Sequence, residues 1–275
     1  MKWLFVLLLA VVIFGGAAFF SYDLFVKPEA SMRAEKSGEI AATPPPDISL
    51  PEFQAAVKLR QDGKLGETRD ALTLLLQKFP GGQHSEEAKD LLGEVNMQIL
   101  LSDYPTPEKQ EYIVRKGDVI ARVAHKMKTT PELIMRINSL DSTMLRIGER
   151  LMISHPDFSL FVQRKALTVV LLNHGQFFKR YRILSVKLPP KPPPRVSTKV
   201  AEVMAWRANK RVGLGTREYR ESTRWIRLAA PGHILFTDPP TTDVAPPPLG
   251  FGMARNDLEE LSSLVNGTTA VTITD

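Results

Sequence analysis

Apolar residues recur with two different periods in two stretches of this chain, and no single layer of secondary structure accommodates both. From Leu50 to about Leu100 the spacing is helical. Phe53, Ala56, Val57 and Leu59 make one stripe, Ala71, Leu72, Leu74, Leu75 and Phe79 a second, and Ala88, Leu91, Leu92, Val95 and Ile99 a third. Gly63 and Pro80-Gly81-Gly82 separate them as turns. From Leu160 onward the pattern is that of strands. Phe161-Val162, Leu167–Leu172 and Phe177–Leu184 come first, the last two joined by a tight turn at Asn173-His174-Gly175. Val200–Trp206, Trp225–Leu228, His233–Phe236 and Val271–Ile273 follow, with the proline run 189–194 as a loop. The fold class expected is a multidomain α+β protein.

Ahead of these stretches, Trp3 to Phe20 is an uncharged apolar run preceded by Lys2. At about 18 residues it just suffices to span a bilayer as a helix. Residues 1–22 are therefore read as a signal anchor or a signal peptide, since Gly16, Ala17 and Ala18 supply small residues near the end. The apolar character continues through Phe19 and Phe20, which favours an uncleaved transmembrane anchor. The remainder is then expected outside the cytoplasm, or secreted if the segment is cleaved. Residues 23–48 are polar, proline-bearing and aperiodic, as in a linker. The chain carries 36 Lys and Arg against 30 Asp and Glu. No RNA- or DNA-binding signature accompanies this mild excess, so no nucleic acid is expected. Cysteine is absent from all 275 residues, which excludes disulfides, thiolate metal ligands and cysteine nucleophiles. No metal site and no cofactor are expected.

Residues 49–101 resemble a tetratricopeptide-type hairpin with one extra helix. A single such unit cannot bury both faces and needs a neighbour. Between Glu111 and Ile153 the order is strand, helix, helix, strand. Tyr112-Ile113-Val114 starts a strand, Lys116-Gly117-Asp118 is a turn, and Asp118 is expected to cap a helix burying Ile120, Val123, Ala124 and Met127. Thr130 caps a second helix with Pro131 at its first position, burying Leu133, Ile134 and Ile137. Leu145, Ile147-Gly148 and Leu151–Ile153 return as a strand. The pieces Y-x-V-x-x-G-D at 112–118, the threonine-to-asparagine stretch at 130–138 and L-x-x-G-x-x-L-x-I at 145–153 resemble the lysin motif (LysM) family. The resemblance implies a βααβ domain over 108–156 that binds N-acetylglucosamine-containing glycan. It places the sugar between Gly117, Asp118, Val119 and Ile120 on one side and Ile137, Asn138, Ser139 and Leu140 on the other.

Residues 158–275 resemble the L,D-transpeptidase catalytic domain, a mostly β fold that cross-links peptidoglycan stem peptides. The similarity rests on the hairpin LTVVLLNHGQFFKRYRILSV, on Ser197–Val200, and on a closing amphipathic helix followed by Asn-Gly-Thr and a Val-x-Ile strand. In the stretch GFGMARNDLEELSSLVNG, Gly250 and Gly252 are read as a turn. Asn256 is the expected N-cap with Glu259 completing a capping box, and Gly267 the stop. Aligned on that family's motifs, the catalytic His falls on Leu235 and the Cys on Met253, while Gly250 stands for Ser and Arg255 for Arg. A thioether has no proton to lose and leucine is no base, so the activated pair is missing. His233 is expected on the same face as Leu235, and Thr237 and Thr241 are the nearby hydroxyls.

The function expected is that of a membrane-tethered peptidoglycan-binding protein whose transpeptidase-like domain is catalytically inactive and serves as scaffold or regulator. A divergent peptidoglycan transpeptidase or hydrolase using a non-cysteine nucleophile is the alternative. A third reading makes residues 49–101 the docking segment for a wall-synthesis partner, which an exposed apolar face along Phe53, Val57 and Leu72 would raise.

Overall fold

The computed structural model describes residues 47–230, 232–237 and 249–275. The expected membrane segment, nearly all of the linker, and Thr241 lie outside the described residues. Among the described residues no helix is long and apolar enough to cross a membrane.

Three helices come first: α1 (Leu50–Gln61), α2 (Leu65–Lys78) and α3 (Ser85–Leu101). Gly63, at φ +74°, makes the left-handed turn between the first two. Ala56, Leu72, Leu75, Ala88 and Leu92 form their own small core. Leu72 is completely buried and Phe53 packs against that core, so these residues do not form an exposed apolar face. The neighbour this hairpin requires is a strand of the C-terminal region, β5 (Gln176–Lys187). Asn96 Nδ2 donates to the Phe178 carbonyl at 2.8 Å, and Arg180 Nε pairs with Asp90 Oδ1 at 2.6 Å. Gly93 permits this approach, because a Cβ there would stand 2.9 Å from Lys179 Cγ.

The next elements are β1 (Lys109–Ile113), α4 (Ile120–Lys126), α5 (Pro131–Ile137) and β2 (Arg150–Ser154). The two strands pair antiparallel with Tyr112 opposite Leu151. Val114, Ile120, Val123, Ala124, Ile134, Leu151 and Ile153 pack between strands and helices. Thr130 caps α5 as expected, its hydroxyl accepting from Leu133 N–H at 3.0 Å. Asp118 does not cap α4. That helix begins after Val119 without a side-chain cap, and the left-handed turn at Gly117 (φ +87°) folds the Asp118 carboxylate back toward the strand exit.

The remaining elements are β3 (Phe158–Gln163), β4 (Thr168–Asn173), β5, β6 (Arg195–Arg207), β7 (Lys210–Arg211), α6 (Arg217–Arg220), β8 (Thr223–Leu228), β9 (Ile234–Thr237), β10 (Gly250–Met253), α7 (Arg255–Leu264) and β11 (Ala270–Thr274). The strand order is β11-β3-β4-β5-β10-β9-β8-β6-β7, and β11 also pairs with β6. The sheet therefore closes on itself through eight strands, with the short β7 outside the ring. Two long strands make closure possible. β5 serves β4 with its first half and β10 with its second, while β6 serves β11 and then β8. The hairpin between β4 and β5 turns through His174 (φ +49°) and Gly175 (φ +74°), the conformation a two-residue primed turn demands.

Two local expectations are corrected here. Gly250–Met253 is a fully buried strand between β5 and β9, where a turn was expected. Helix α7 starts at Arg255 after Ala254 with no side-chain cap, so Asn256 and Glu259 form no capping box. It ends at Leu264 because Val265, 2 % exposed, turns extended to stay in the core; Gly267 belongs to the following turn. Leu258, Leu261 and Leu264 face the core as their spacing predicts.

Residues 49–275 make one compact unit. Met97 and Leu100 of α3 and Leu133 and Ile137 of α5 join the strand residues in its largest core.

Gly250 has φ +146°, and a Cβ there would overlap the Ile234 carbonyl oxygen and lie 2.6 Å from its nitrogen. Gly250→Ala is expected to destabilise the fold by about 2 kcal/mol or more, measured as a lower urea midpoint. An unchanged midpoint would contradict the tight β9–β10 pairing.

Candidate functional site

One groove opens at the exit of β1. It is lined by Asp118, Val119 and Ile120 on one side and by Thr143, Met144 and Leu145 on the other, with Leu214 closing one end; its volume is about 630 Å³. Val119 is 50 % and Met144 83 % exposed, so two apolar side chains stand in solvent beside polar neighbours. Such an open, partly apolar trough suits a ligand with one apolar face and polar edges. The Asp118 carboxylate accepts from Tyr112 Oη at 2.7 Å and from Arg115 N–H at 2.8 Å. These two bonds hold its carboxyl below the usual carboxylate range, the Arg115 amide acting most. The bond raises the Tyr112 phenol in turn. Because the folded value lies below 3.8, the contribution of Asp118 is present above that pH and is lost as pH falls through the folded value.

Of the residues expected to touch glycan, Asp118, Val119 and Ile120 line the groove, and Gly117 supplies the turn that presents them. Ile137, Asn138, Ser139 and Leu140 do not line it. Ile137 is buried in the large core and Leu140 packs on the small one. Asn138 is fully engaged: Nδ2 donates to the Ile134 and Met152 carbonyls, and Oδ1 accepts from Met152 N–H at 2.7 Å. The opposite wall instead carries Met144, which the sequence reading missed, a large apolar residue within the otherwise polar run DSTM.

The turn after β7 and helix α6 hold this wall in place. Gly215 (φ +85°) approaches so closely that a Cβ would lie 2.8 Å from Thr143 Cγ2. Arg220 Nη2 reaches Asp141 Oδ1 and its carbonyl, each at 3.2 Å. Deeper in the seam, Tyr219 donates to Glu132 Oε2 at 2.5 Å, and Arg224 stacks 3.6 Å over the Tyr219 ring. The Thr130 hydroxyl donates to the Ser263 carbonyl, and Arg136 Nη2 to that of Glu259 at 3.2 Å.

The second candidate site is the end of β10. Met253 and Leu235 are both 0 % exposed and belong to the large core. Met253 pairs with Thr237, Gly252 with Phe236 and Phe251 with Leu235 in a parallel register. Arg255 forms an ion pair with Glu259 at 2.8 Å and reaches the Ser222 carbonyl at 3.4 Å. With no cysteine in the chain, the thiolate chemistry of L,D-transpeptidases is impossible here. His233 is buried like Leu235, edge-on to Phe251 at 6.2 Å, and its Nδ1 has no partner. The Thr237 hydroxyl is also buried and unpartnered. The two stand four positions apart along extended chain, about 13 Å, so they form no hydroxyl–imidazole pair. Among the described residues no acidic or histidine cluster can hold a metal ion.

Burial pushes the His233 imidazole down, and the nearby Arg164 adds to the effect. Above pH 6.5 both folded and unfolded chains hold it neutral. Below that value the unfolded imidazole gains a proton the folded one refuses, so stability falls with pH. His233→Leu is expected to remove this part of the acid sensitivity, read from urea midpoints at pH 7.5 and 5. An identical pH slope in both proteins would contradict a buried neutral His233.

Three solved structures are among those to which part of this chain is similar. L,D-transpeptidase 1 of Mycobacterium tuberculosis is 9 % identical with a TM-score of 0.30, over 47 % of this chain and 68 % of that one. An L,D-transpeptidase of Mycobacterium smegmatis is 13 % identical with a TM-score of 0.30, over 46 % and 64 %. The L,D-transpeptidase (Yku) of Stackebrandtia nassauensis is 11 % identical with a TM-score of 0.31, over 43 % and 56 %. This chain thus spans less than two thirds of the latter two. No curated protein matches it. Residues 112–154 match the family model of the LysM domain, and the βααβ segment carrying the groove is a LysM domain.

Proposed function

We propose that this chain is an extracytoplasmic protein that binds peptidoglycan through its LysM domain, with the strand-rich region as a non-catalytic scaffold. The LysM domain implies peptidoglycan binding and a cell-wall location. The observation that carries the finer reading is the exposed apolar pair Val119 and Met144 across the groove. In this reading Gly117–Ile120 contact the N-acetylglucosamine-containing glycan. Ile137–Leu140 act from behind, by fixing α5 to β2. Residues 1–22 tether the chain to the membrane, and residues 49–101, 108–156 and 158–275 are the three regions behind the tether. No cofactor takes part.

The absence of cysteine and the closed core around Met253 and Leu235 support the non-catalytic role. A substrate carbonyl has no path to a residue that solvent does not reach. Incubating the full chain with purified sacculi is expected to retain the protein while leaving the muropeptide mass spectrum unchanged. Met253→Cys is expected to leave it unchanged too, because position 235 offers no base. New cross-links or released fragments would overturn this role in favour of a non-cysteine nucleophile.

Val119→Asp and Met144→Asp are each expected to weaken sacculus binding about tenfold or more, since each forfeits apolar contact worth about 1.5 kcal/mol. Both side chains are exposed, so folding should be unaffected. Undiminished binding by both variants would move the glycan away from this groove.

A further inference from the structure

A second, sizeable cleft adjoins the LysM groove. It lies behind it, between α4, residues 155–158 and the turn after α7, with a volume of about 870 Å³. Ala121 and Pro131 line both spaces, so the two adjoin across that ridge.

The lining of this cleft holds one lysine and one aspartate, with two histidines and an asparagine among its other polar groups. Lys128, His125 and His155 enter no ion pair or side-chain hydrogen bond among the described residues. Asn266 adds a fourth free donor. Its Oδ1 is taken by Thr268, which donates both its N–H (2.9 Å) and its hydroxyl (2.6 Å), while Nδ2 has no protein acceptor among the described residues. The acid of the lining, Asp157, is 81 % exposed and lies 3.8 Å from His174 Nδ1. The one Lys or Arg of the lining is Lys128, and it has no ion pair among the described residues. Its backbone is held left-handed (φ +53°) where the Thr129 N–H closes α4 onto the Ala124 carbonyl at 2.9 Å. Glycine or asparagine is the usual residue at such a helix end. An acceptor-rich anion is the ligand that this set of groups fits.

We propose that this cleft is a second subsite, which takes a carboxylate of the peptide carried by a glycan strand lying in the groove, with Lys128 as its cation. The proposal rests on the reading of the groove as a glycan site. It gives the seam between the LysM domain and the strands a role: the sugar lies on one side of the Ala121–Pro131 ridge and the anionic peptide on the other.

The test compares three probes by calorimetry on the full chain: a bare N-acetylglucosamine-containing oligosaccharide, the same saccharide bearing its stem peptide, and that muropeptide with its carboxylates amidated. The peptide-bearing form is expected to bind about tenfold tighter than the bare one, and amidation is expected to abolish the gain. Lys128→Gln, at an exposed position, should abolish it too while leaving the bare saccharide unaffected. Equal affinity for all three probes would overturn the subsite and leave the glycan groove standing. A gain that survives in Lys128→Gln would overturn it as well. Failure of every probe to bind would overturn the groove reading and the subsite together.

Discussion

Helix α5 has seven residues and two buried faces, and the arrangement of residues 49–275 depends on that. Ile134 points into the small LysM core, while Leu133 and Ile137 point into the core built from the closed sheet and α7. A domain of this size buries too little of its own surface to be strongly stable alone, and sharing a helix with a larger core offsets the deficit. The polar ring around the helix fixes how the two meet. Arg224 is a charge 5 % exposed, and Glu132 of α5 lies 3.9 Å away. Removing Glu132 would leave Arg224 buried without its nearest anion, which costs far more than an exposed ion pair is worth. The seam is thereby held by groups that cannot separate cheaply.

The same economy explains the end of β10. A nucleophile and its base must be reached by substrate, and both must be desolvated only in part. Met253 and Leu235 are both packed without solvent contact and contribute to the core on which α7 rests. Methionine is well suited to such a place, because an unbranched thioether fills irregular space without a polar atom to satisfy. The orphaned polar atoms of this region, His233 Nδ1 and the Thr237 hydroxyl, then stand as unmet costs, each on the order of 1–3 kcal/mol.

What the amino-acid order revealed follows from how local each cause is. The helices α1 to α3 and the His174-Gly175 turn are written within a few residues and stand where expected, although Leu74 of the second stripe is 49 % exposed. The LysM segment is legible for the same reason, its turns and caps lying within 43 residues. GFGM misled because two glycines in four residues read as a turn. Here Gly250 is required by the backbone of Ile234 in a strand 16 residues away, which no local pattern reveals. Asp118 misled likewise, since its partners Tyr112 and Arg115 outcompete the helix terminus it precedes. The opposite wall of the groove depends on Leu214 and Gly215, some 70 residues beyond Thr143, and their approach is purely tertiary.

Pro131 ties these observations together. It lines the LysM groove, the cleft behind it, and a third space that runs past Leu214 and Tyr219 toward Asn266. Any other residue at the first position of α5 would bring an N–H that the helix cannot satisfy and that three adjoining clefts would have to accommodate. Proline brings none, and its fixed φ pre-sets the start of a helix too short to nucleate strongly by itself. An apolar ring without a donor can border open space on several sides at little cost. The residue that best starts α5 is therefore also the one that leaves the seam open around it.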